Sequence, residues 1–344
     1  MTNEQWQMLL DVIAGRRVEP IPTGFIVDSP WLPGWAGVST LDYFTNDPIW
    51  FECNRKAVET FPDTMFLPGF WAEYGMCTEP SAFGAKCTFH RNELPFAEKI
   101  IHQMDDISRL KSPHPEKDGL AAFVLNRLVL NRRAVENLGH PIRFAVSRGP
   151  LNIASFLMGT TEFLMALRTD PQPVHRLLRL VTDFIMRWLE VQKKYVDTID
   201  GILILDDIAG FCGKPDFEEF ARPYLQEIFG SLKVSVRFFH NDADGRVCAP
   251  YLAEMGVNLF NFSFQHSLQE MREWTGGQVV LLGNIPPRDV LAAGSPAEVR
   301  QWVEQTLQTL PDSSRIILSC GGGMPGGVST ENLRSFIDAV KKGR

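Results

Sequence analysis

The chain of 344 residues is 44% hydrophobic and carries a formal net charge of −7, so it is long enough to bury a sizeable core. Its mildly acidic balance lacks the electrostatic footprint of a nucleic-acid-binding protein. No apolar run approaches the roughly 20 residues that a membrane span needs, so we expect neither nucleic acid nor membrane as a partner.

The first 17 residues do not form a signal peptide. Glu4 and Asp11 interrupt the segment, and no apolar stretch with a small-residue cleavage site follows. The six cysteines are scattered through a large chain, which favours reduced thiols in a cytoplasmic protein over a disulfide framework. They are Cys53, Cys77, Cys87, Cys212, Cys248 and Cys320.

Short apolar runs alternate with amphipathic runs along the chain, the pattern of an α/β protein with a parallel sheet. Eight runs read as buried strands: 22–27, 64–68, 142–146, 202–205, 234–239, 257–262, 279–283 and 315–319. Eight such strands with helices between them predict a (β/α)8 TIM barrel, which we expect to form a single domain over residues 1–344.

Helices are predicted between these strands. A long helical region runs from Pro171 to about Tyr195, and a second spans 216–229 behind an acidic first turn. Ser295 followed by Pro296 reads as an N-cap with proline at the first helical position. Thr330 starts the last predicted helix.

Two segments exceed the usual loop length. Residues 28–62 follow the first strand, and residues 69–141 separate the second strand from the third. The longer segment contains a short strand candidate at 83–90 and a helix-like run at 120–138. Long insertions on a barrel shape a substrate pocket or lid, and we expect 69–141 to shape the pocket here.

Polar residues at the carboxyl ends of barrel strands predict the active site. Asp206 and Asp207 follow the strand at 202–205, and His240 with Asp242 follows the next one. Since adjacent strand residues face opposite sides, we expect Asp207 in the pocket and Asp206 as a cap for the next segment. A strand-end histidine can act as a base or bind a metal. The alternative is a packed His240 followed by a turn.

Cys320 precedes three glycines, where a thiolate and His240 could supply two ligands of a Zn²⁺ site. The alternative is a buried cysteine beside a plain turn. The segment after the second strand mixes aromatic and ionisable residues, as ligand pockets do, or anchors a loop. Further substrate-binding candidates are Trp71, Glu73, Tyr74, Arg148 and Asn284; Arg148 would meet an anionic group or lie on the surface.

Several common cofactor and nucleophile motifs do not occur. The glycines at 321–323 lack the G-x-G-x-x-G spacing of a dinucleotide site. The sequence also contains no Walker A motif, G-x-S-x-G elbow or H-E-x-x-H helix. We therefore expect no NAD, no ATP and no serine-hydrolase chemistry.

Most of the chain resembles the uroporphyrinogen decarboxylase superfamily. The segments that carry the resemblance are 149–159, 170–178, 202–210, 220–224, 239–245, 252–258, 281–299 and 320–332. The pair GNIPP and AGSPAEV is similar to the family's GN-(I/L)-DP…GTPEEV element. The resemblance implies a (β/α)8 barrel, in agreement with the strand count.

The resemblance to the decarboxylase branch is incomplete. That branch binds substrate carboxylates with an arginine-rich segment. The matching segment here, residues 26–37, contains no arginine. Its C-terminal GHG element reads GGG here, with Gly322 in the histidine position. Zinc- and corrinoid-linked methyltransferases of the family use an H-x-C element and a later cysteine. Here His240 matches the histidine, Asp242 replaces the first cysteine, and Cys320 lies slightly before the second.

The resemblance implies a methyltransferase that moves a methyl group between a small methylated substrate and a corrinoid protein or a thiol. Zn²⁺ would be held by His240, Cys320 and Asp242, with Glu73 as a further ligand, and a separate protein would supply the corrinoid. One alternative is a metal-free decarboxylase or lyase for a carboxylated substrate, in which Asp207 or His240 handles the proton. Another is a non-catalytic ligand-binding barrel. A homodimer is one option for the oligomeric state.

Overall fold

The computed structural model describes residues 1–310 and 312–343. Each of the eight predicted strand regions contains a strand, and a short hairpin lies within the longer insertion. The strands are β1 (Gly24–Ile26), β2 (Met65–Leu67), β3 (Cys87–Thr88), β4 (Phe96–Ala97), β5 (Phe144–Arg148), β6 (Gly201–Leu205), β7 (Val236–Asn241), β8 (Leu259–Phe262), β9 (Val280–Ile285) and β10 (Ile316–Cys320). The predicted strands are therefore confirmed, including the short one at 83–90.

The barrel strands are all parallel. β5 to β10 form one sheet in the order β10-β9-β8-β7-β6-β5, and β1 pairs with β2. A bridge between Thr23 and Leu318 connects β1 to β10. No strand pairing joins β2 to β5 within the described part of the chain.

A common hydrophobic interior shows how the strands are arranged. One buried cluster takes side chains from all eight parallel strands, including Ile26, Leu67, Phe144, Leu203, Phe238, Leu259, Leu282 and Ile317. Alternate residues of a strand face opposite sides, so these eight strands turn one face each toward a shared centre. This is the packed interior of a (β/α)8 barrel, the predicted fold.

The N-terminal helix Asn3–Ile13 joins the same interior. Its buried residues Trp6, Leu9 and Val12 belong to the cluster inside the barrel, and the Trp6 ring meets Phe144 edge-on at 5.5 Å. A capping box between Thr2 and Gln5 starts this helix. The helix thus covers one end of the barrel, and the carboxyl ends of the strands remain for the site.

The remaining α-helices surround the strands. They are Leu32–Ala36, Thr40–Thr45, Asp47–Thr60, Thr78–Ala82, Met104–Ile107, Ala121–Asn137, Pro150–Met158, Thr160–Thr169, Pro171–Tyr195, Lys214–Asp216, Arg222–Gly230, Leu268–Trp274, Pro296–Thr309 and Thr330–Lys342. Shorter 3₁₀ turns span Asp207–Phe211 and Ala249–Tyr251, and π-helical turns span Phe217–Ala221 and Pro287–Ala292. The helix predicted at 216–229 is present, but a π turn interrupts it.

The predicted helix starts are confirmed in atomic detail. Ser295 accepts a hydrogen bond from the Glu298 backbone, and the Glu298 carboxylate accepts one from Ser295. Pro296 occupies the first turn, where a missing N–H costs nothing. Within residues 1–310 and 312–343, no helix is both long and apolar enough to pass through a bilayer.

Candidate active site

A cavity of about 370 Å³ opens at the carboxyl ends of the strands. Residues at or after seven of the eight barrel strands line it, β8 being the exception; they include Asp28, Glu73, Arg148, Leu205, Asp207, His240, Asp242, Arg288 and Met324. A more open groove of about 460 Å³ lies beside helix Asp47–Thr60, away from the strand ends, and contains none of the predicted site residues. The strand-end cavity is therefore the candidate active site.

Three side chains in this cavity are close enough to share one metal ion. Donor atoms of Asp207, His240 and Asp242 all lie within 4.8 Å of one another. The His240 Nε2 atom is 3.5 Å from Asp207 Oδ1, and the Asp242 backbone N–H donates to the same oxygen over 3.0 Å. The three predicted catalytic residues thus come together, and Asp207 takes a position that the sequence did not assign to a ligand.

The alternation of the strand separates the two neighbouring aspartates. Asp206 is fully buried and accepts hydrogen bonds from the backbone N–H groups of Leu151 and Asn152, at 2.8 Å and 3.1 Å. Burial raises the pKa of the Asp206 carboxyl to about 8, although the backbone donors act in the opposite direction. Asp207 faces the cavity and Asp206 faces away from it, as the alternation predicts. Asp206 caps helix Pro150–Met158, which precedes it in the chain, whereas we expected a cap for the segment that follows.

A buried asparagine fixes the orientation and tautomer of His240. Asn261 lies opposite His240 in the register of β7 and β8. Its Nδ2 atom donates to the carbonyls of Leu282 and Cys320, so its Oδ1 atom accepts from His240 Nδ1 over 2.8 Å. Nδ1 therefore carries a proton, and Nε2 is the ring nitrogen that faces the carboxylates. A metal-binding histidine is typically held in this way.

The Asp207 carboxylate acts on the neighbouring Asp242 carboxyl. The pKa of the Asp242 carboxyl is raised, first by removal from bulk water and then by the adjacent Asp207 charge, while His240 opposes the rise. A cation placed between them would relieve this repulsion. One imidazole nitrogen and two carboxylates are suitable ligands for a divalent metal such as Zn²⁺, and three protein ligands leave a position open. The donor set thus fits a catalytic metal site.

The other two predicted metal ligands lie outside this group. The Cys320 thiol is wholly buried in the hydrophobic layer outside the barrel interior, and its Sγ atom donates to the Gly322 carbonyl over 3.3 Å. Burial raises the pKa of this thiol to about 12, which disfavours the thiolate that a metal would need. Glu73 lines the cavity but pairs with Arg148. The structure therefore does not bring Cys320 or Glu73 to the metal group.

Asp28, Glu73 and Arg148 form a second charged group in the lining. The Arg148 guanidinium, 11% exposed, lies 3.5 Å from carboxylate oxygens of both Glu73 and Glu79. Asp28 Oδ1 is buried without a hydrogen-bond partner. Burial and then the Glu73 charge raise the pKa of Asp28 well above its ordinary value, while Arg148 lowers it. This part of the cavity therefore favours a protonated Asp28.

Three predicted substrate-binding residues do not line the cavity. Trp71 is packed in the barrel interior, with 5% exposure. The Tyr74 ring packs in the outer core, with the Arg127 guanidinium 5.3 Å from its centre. Asn284 is buried, and its Nδ2 atom donates to the His266 carbonyl. Trp71 and Tyr74 were predicted from a pocket-like local composition and Asn284 from its place at a strand end, but each side chain lies in a packed region.

Several residues of the lining were not predicted from the sequence. Asp28 directly follows the first predicted strand, so the strand-end rule that selected His240 would also have selected it. Arg288 follows β9 and the two prolines of the GNIPP segment. Asn152 and Phe156 lie on helix Pro150–Met158. Nothing in the local sequence distinguishes those two from the other residues of that helix.

Comparisons with known proteins give one family. The model described as "Uroporphyrinogen decarboxylase (URO-D)" matches residues 8–343. A protein named uroporphyrinogen decarboxylase from Actinobacillus succinogenes is 26% identical over 276 residues, covering 76% of this chain and 75% of its own. The Homo sapiens protein of that name is 26% identical over 277 residues, covering 76% and 73%. A solved "methyltransferase from Methanosarcina mazei" has a TM-score of 0.81 at 16% identity, covering 97% of both chains, which shows the shared fold.

Proposed function

The chain belongs to the uroporphyrinogen decarboxylase family, whose members are enzymes, and we propose that it transfers a methyl group from a small methylated substrate. The acceptor in this proposal is a thiol or a corrinoid on a separate protein. The observation that carries the proposal is the convergence of Asp207, His240 and Asp242 on one point of the cavity. The structural neighbour named a methyltransferase adds support for this branch of the family.

The three converging residues would hold a divalent metal with one position facing the cavity. When bound, the metal would supply a Lewis acid for the oxygen, nitrogen or sulfur atom that carries the methyl group. Asn261 keeps the His240 imidazole in the tautomer that leaves Nε2 free. Burial raises the pKa of the Asp28 carboxyl well above its ordinary value, so this lining carboxyl is suited to donate a hydrogen bond to the substrate.

The charge and size of the cavity argue against a tetrapyrrole substrate. Among the residues that the structure describes, two arginines line the cavity, and one of them, Arg148, already pairs with two glutamates. A polycarboxylated macrocycle would bring further negative charge to a lining that already contains four carboxylates. The volume of about 370 Å³ lies near the lower end of the roughly 300–1,000 Å³ typical of ligand pockets. Both observations favour a small substrate.

Decarboxylation of a small carboxylated substrate is the second candidate. The protonated Asp28 favours it, because a decarboxylase must deliver a proton to the carbon that loses CO₂. The names of the relatives at about 26% identity point the same way. In this mechanism Asp28 donates the proton, Arg148 attracts the substrate carboxylate, and no metal is required.

Metal binding separates the two candidates. Titration of the chelator-treated protein with Zn²⁺, followed by calorimetry, is expected to show one equivalent bound. His240→Ala and Asp207→Asn should abolish binding, and Cys320→Ala should retain it because that thiol lies outside the group. His266→Ala is the matched control: His266 is also buried, and its Nε2 atom lies 3.2 Å from Asp244.

Turnover tests the reaction itself. The zinc-loaded protein is incubated with small ¹³C-methyl ethers, thioethers or methylamines and with free cob(I)alamin or a thiol as acceptor. Mass spectrometry should find the label on the acceptor, and the His240→Ala protein should lose this activity. Failure to bind zinc together with CO₂ release from a carboxylated substrate would support the decarboxylase instead. Tight binding of a ligand without any turnover would support the third interpretation, a non-catalytic ligand-binding barrel.

A further inference from the structure

Two cysteines in the longer insertion lie against each other, away from the three converging residues. Cys77 is fully buried and directly precedes helix Thr78–Ala82, whereas Cys87 begins β3 and is half-buried. The Cys87 Sγ atom lies 3.9 Å from the Cys77 carbonyl oxygen and 3.7 Å from the Ala85 carbonyl oxygen, which places the two cysteines side by side. Nine residues lie between them in the chain, and the turn that these residues form brings the two cysteines together.

The two thiols differ in their exposure and in their acidity. The adjacent Cys77 side chain lowers the pKa of Cys87, although partial burial opposes this. The adjacent Cys87 side chain, and then burial, raise the pKa of Cys77 above its ordinary range. Cys87 is therefore both the more accessible and the more easily ionised of the two. A thiolate of this kind beside a second thiol is the arrangement that reacts readily with oxidants.

The four other cysteines lack this arrangement. Burial raises the pKa to about 11 for one and about 12 for three: Cys53, Cys212, Cys248 and Cys320. All four are buried. Buried neutral thiols react slowly with oxidants, so they provide internal controls for the reactivity of the pair.

We propose that Cys77 and Cys87 form a reversible disulfide when a hydroperoxide oxidises Cys87. The Cys87 thiolate attacks the peroxide oxygen, the O–O bond breaks, and Cys87 becomes a sulfenic acid while the departing hydroxide or alkoxide takes up a proton. The Cys77 sulfur then attacks the sulfenic sulfur, the S–S bond forms, and water leaves with the Cys77 proton. The two thiols lose two electrons, and the peroxide gains them.

The disulfide would connect two segments of the cavity wall. Met76, next to Cys77, lines the cavity, as does Leu94 from the loop between β3 and β4. Pro95 of the same loop packs so closely on Gly75 that a Cβ atom added there would lie 3.0 Å from the proline ring. Oxidation would therefore fix the position of the hairpin against the segment that carries Glu73. The site is a peroxide-sensitive modification site beside the cavity.

Peptide mapping tests the proposal on the native full-length chain. The protein is treated with hydrogen peroxide, unreacted thiols are alkylated, and trypsin digestion follows without reduction. Cleavage after Lys56, Lys86 and Arg91 places Cys77 alone in peptide 57–86 and Cys87 alone in peptide 87–91. We expect these two peptides linked, at the summed mass less two hydrogen atoms, and separated again by dithiothreitol.

Two variants assign the order of the reaction. Cys77→Ser should accumulate a sulfenic acid at Cys87 that dimedone traps, whereas Cys87→Ser should leave Cys77 reduced. Cys53→Ser is the control and should form the 77–87 link at the wild-type rate. The proposal is overturned if the wild-type link fails to form while free cysteine in the same solution is oxidised, or if other cysteines pair instead. The wild-type mapping depends on no variant folding.

Discussion

Replacement of Asn261 by alanine tests the link between the barrel interior and the proposed metal site. The substitution removes the acceptor for His240 Nδ1–H and the donor to the Leu282 and Cys320 carbonyls. Without its partner, the imidazole is free to rotate and to move its proton to Nε2. Substitution of the residue that hydrogen-bonds a metal-binding histidine typically lowers metal affinity by about 10- to 100-fold. We therefore expect the Zn²⁺ affinity to fall by about that factor, which corresponds to about 1.4–2.7 kcal/mol of binding free energy.

The same substitution should lower the stability of the metal-free protein. Asn261 is fully buried, so water does not readily replace its side chain. The His240 Nδ1–H group and the Leu282 and Cys320 carbonyl oxygens would each lose a hydrogen-bond partner. An unsatisfied buried polar group costs about 1–3 kcal/mol, but strand carbonyls have a second lone pair that can remain paired. We therefore expect the free energy of unfolding to fall by about 2–4 kcal/mol.

Asn258→Ala provides the matched control. Asn258 also makes two hydrogen bonds with neighbouring backbone, to Arg237 and Ser235, each of 2.8 Å, but at the amino end of β8. Zn²⁺ affinity is measured by competition with a chromophoric chelator, and stability by urea unfolding of the chelator-treated proteins. The reasoning is refuted if the Asn261 variant binds Zn²⁺ within twofold of the wild type, or if the Asn258 variant loses as much affinity.

Three further substitutions test the packing and charges around the cavity. Gly149→Ala would place a Cβ atom 2.3 Å from Asp206 Oδ2, so urea unfolding should show a loss of about 1–3 kcal/mol from overpacking. Asp28→Asn should become more stable relative to wild type as pH rises above about 4. Because the folded pKa of Asp28 is raised, the contribution of its protonated carboxyl to wild-type stability is fully present below 3.8 and is lost as pH rises through the folded pKa. Arg148→Met should cost about 3–5 kcal/mol of unfolding free energy, because it leaves buried carboxylates unpaired, and adding Glu73→Gln should restore part of it.

Each of these predictions has a result that would contradict it. Gly230→Ala is the control for the first, because nothing lies within 4 Å of the added Cβ atom in that helix, and it should be neutral or stabilising. A stability difference between Asp28→Asn and wild type that stays constant from pH 4 to pH 8 would show that the carboxyl is not perturbed. An Arg148→Met protein as stable as wild type would show that the glutamates are satisfied by other groups.

The strands were predictable because their composition is dictated by burial on both faces. Near-continuous Val, Ile, Leu and Phe runs mark parallel strands covered by helices, and each such run contains a strand. Strand alternation also predicted the separate roles of Asp206 and Asp207. Applied to β10, the same alternation places Ile317 and Ser319 on one face and Cys320 on the other, so the cysteine belongs to the outer layer.

The contacts that hold the site in place were not predictable in the same way. Asn261 holds His240 because β7 and β8 align these two residues, and strand register is a property of the folded sheet. The contact of Cys77 with Cys87 depends on the path of an irregular insertion. Trp71 and Tyr74 were predicted to bind substrate but lie in the packed core. An aromatic composition typical of pockets is equally typical of a packed core. A sequence pattern gives the direction of a side chain along one strand but not its neighbour on the next.

The charge balance of the cavity connects the proposed metal to the choice of substrate. Carboxylates of Asp28, Glu73, Asp207 and Asp242 line the cavity, and the guanidinium groups are those of Arg148 and Arg288. Two guanidinium groups do not balance four carboxylates, so protons, a metal ion or a cationic group of the substrate would stabilise the cavity. A metal between Asp207 and Asp242 would neutralise one side and leave the proton on Asp28 at the other. This balance favours a small substrate with a metal-binding heteroatom over one that brings several carboxylates of its own.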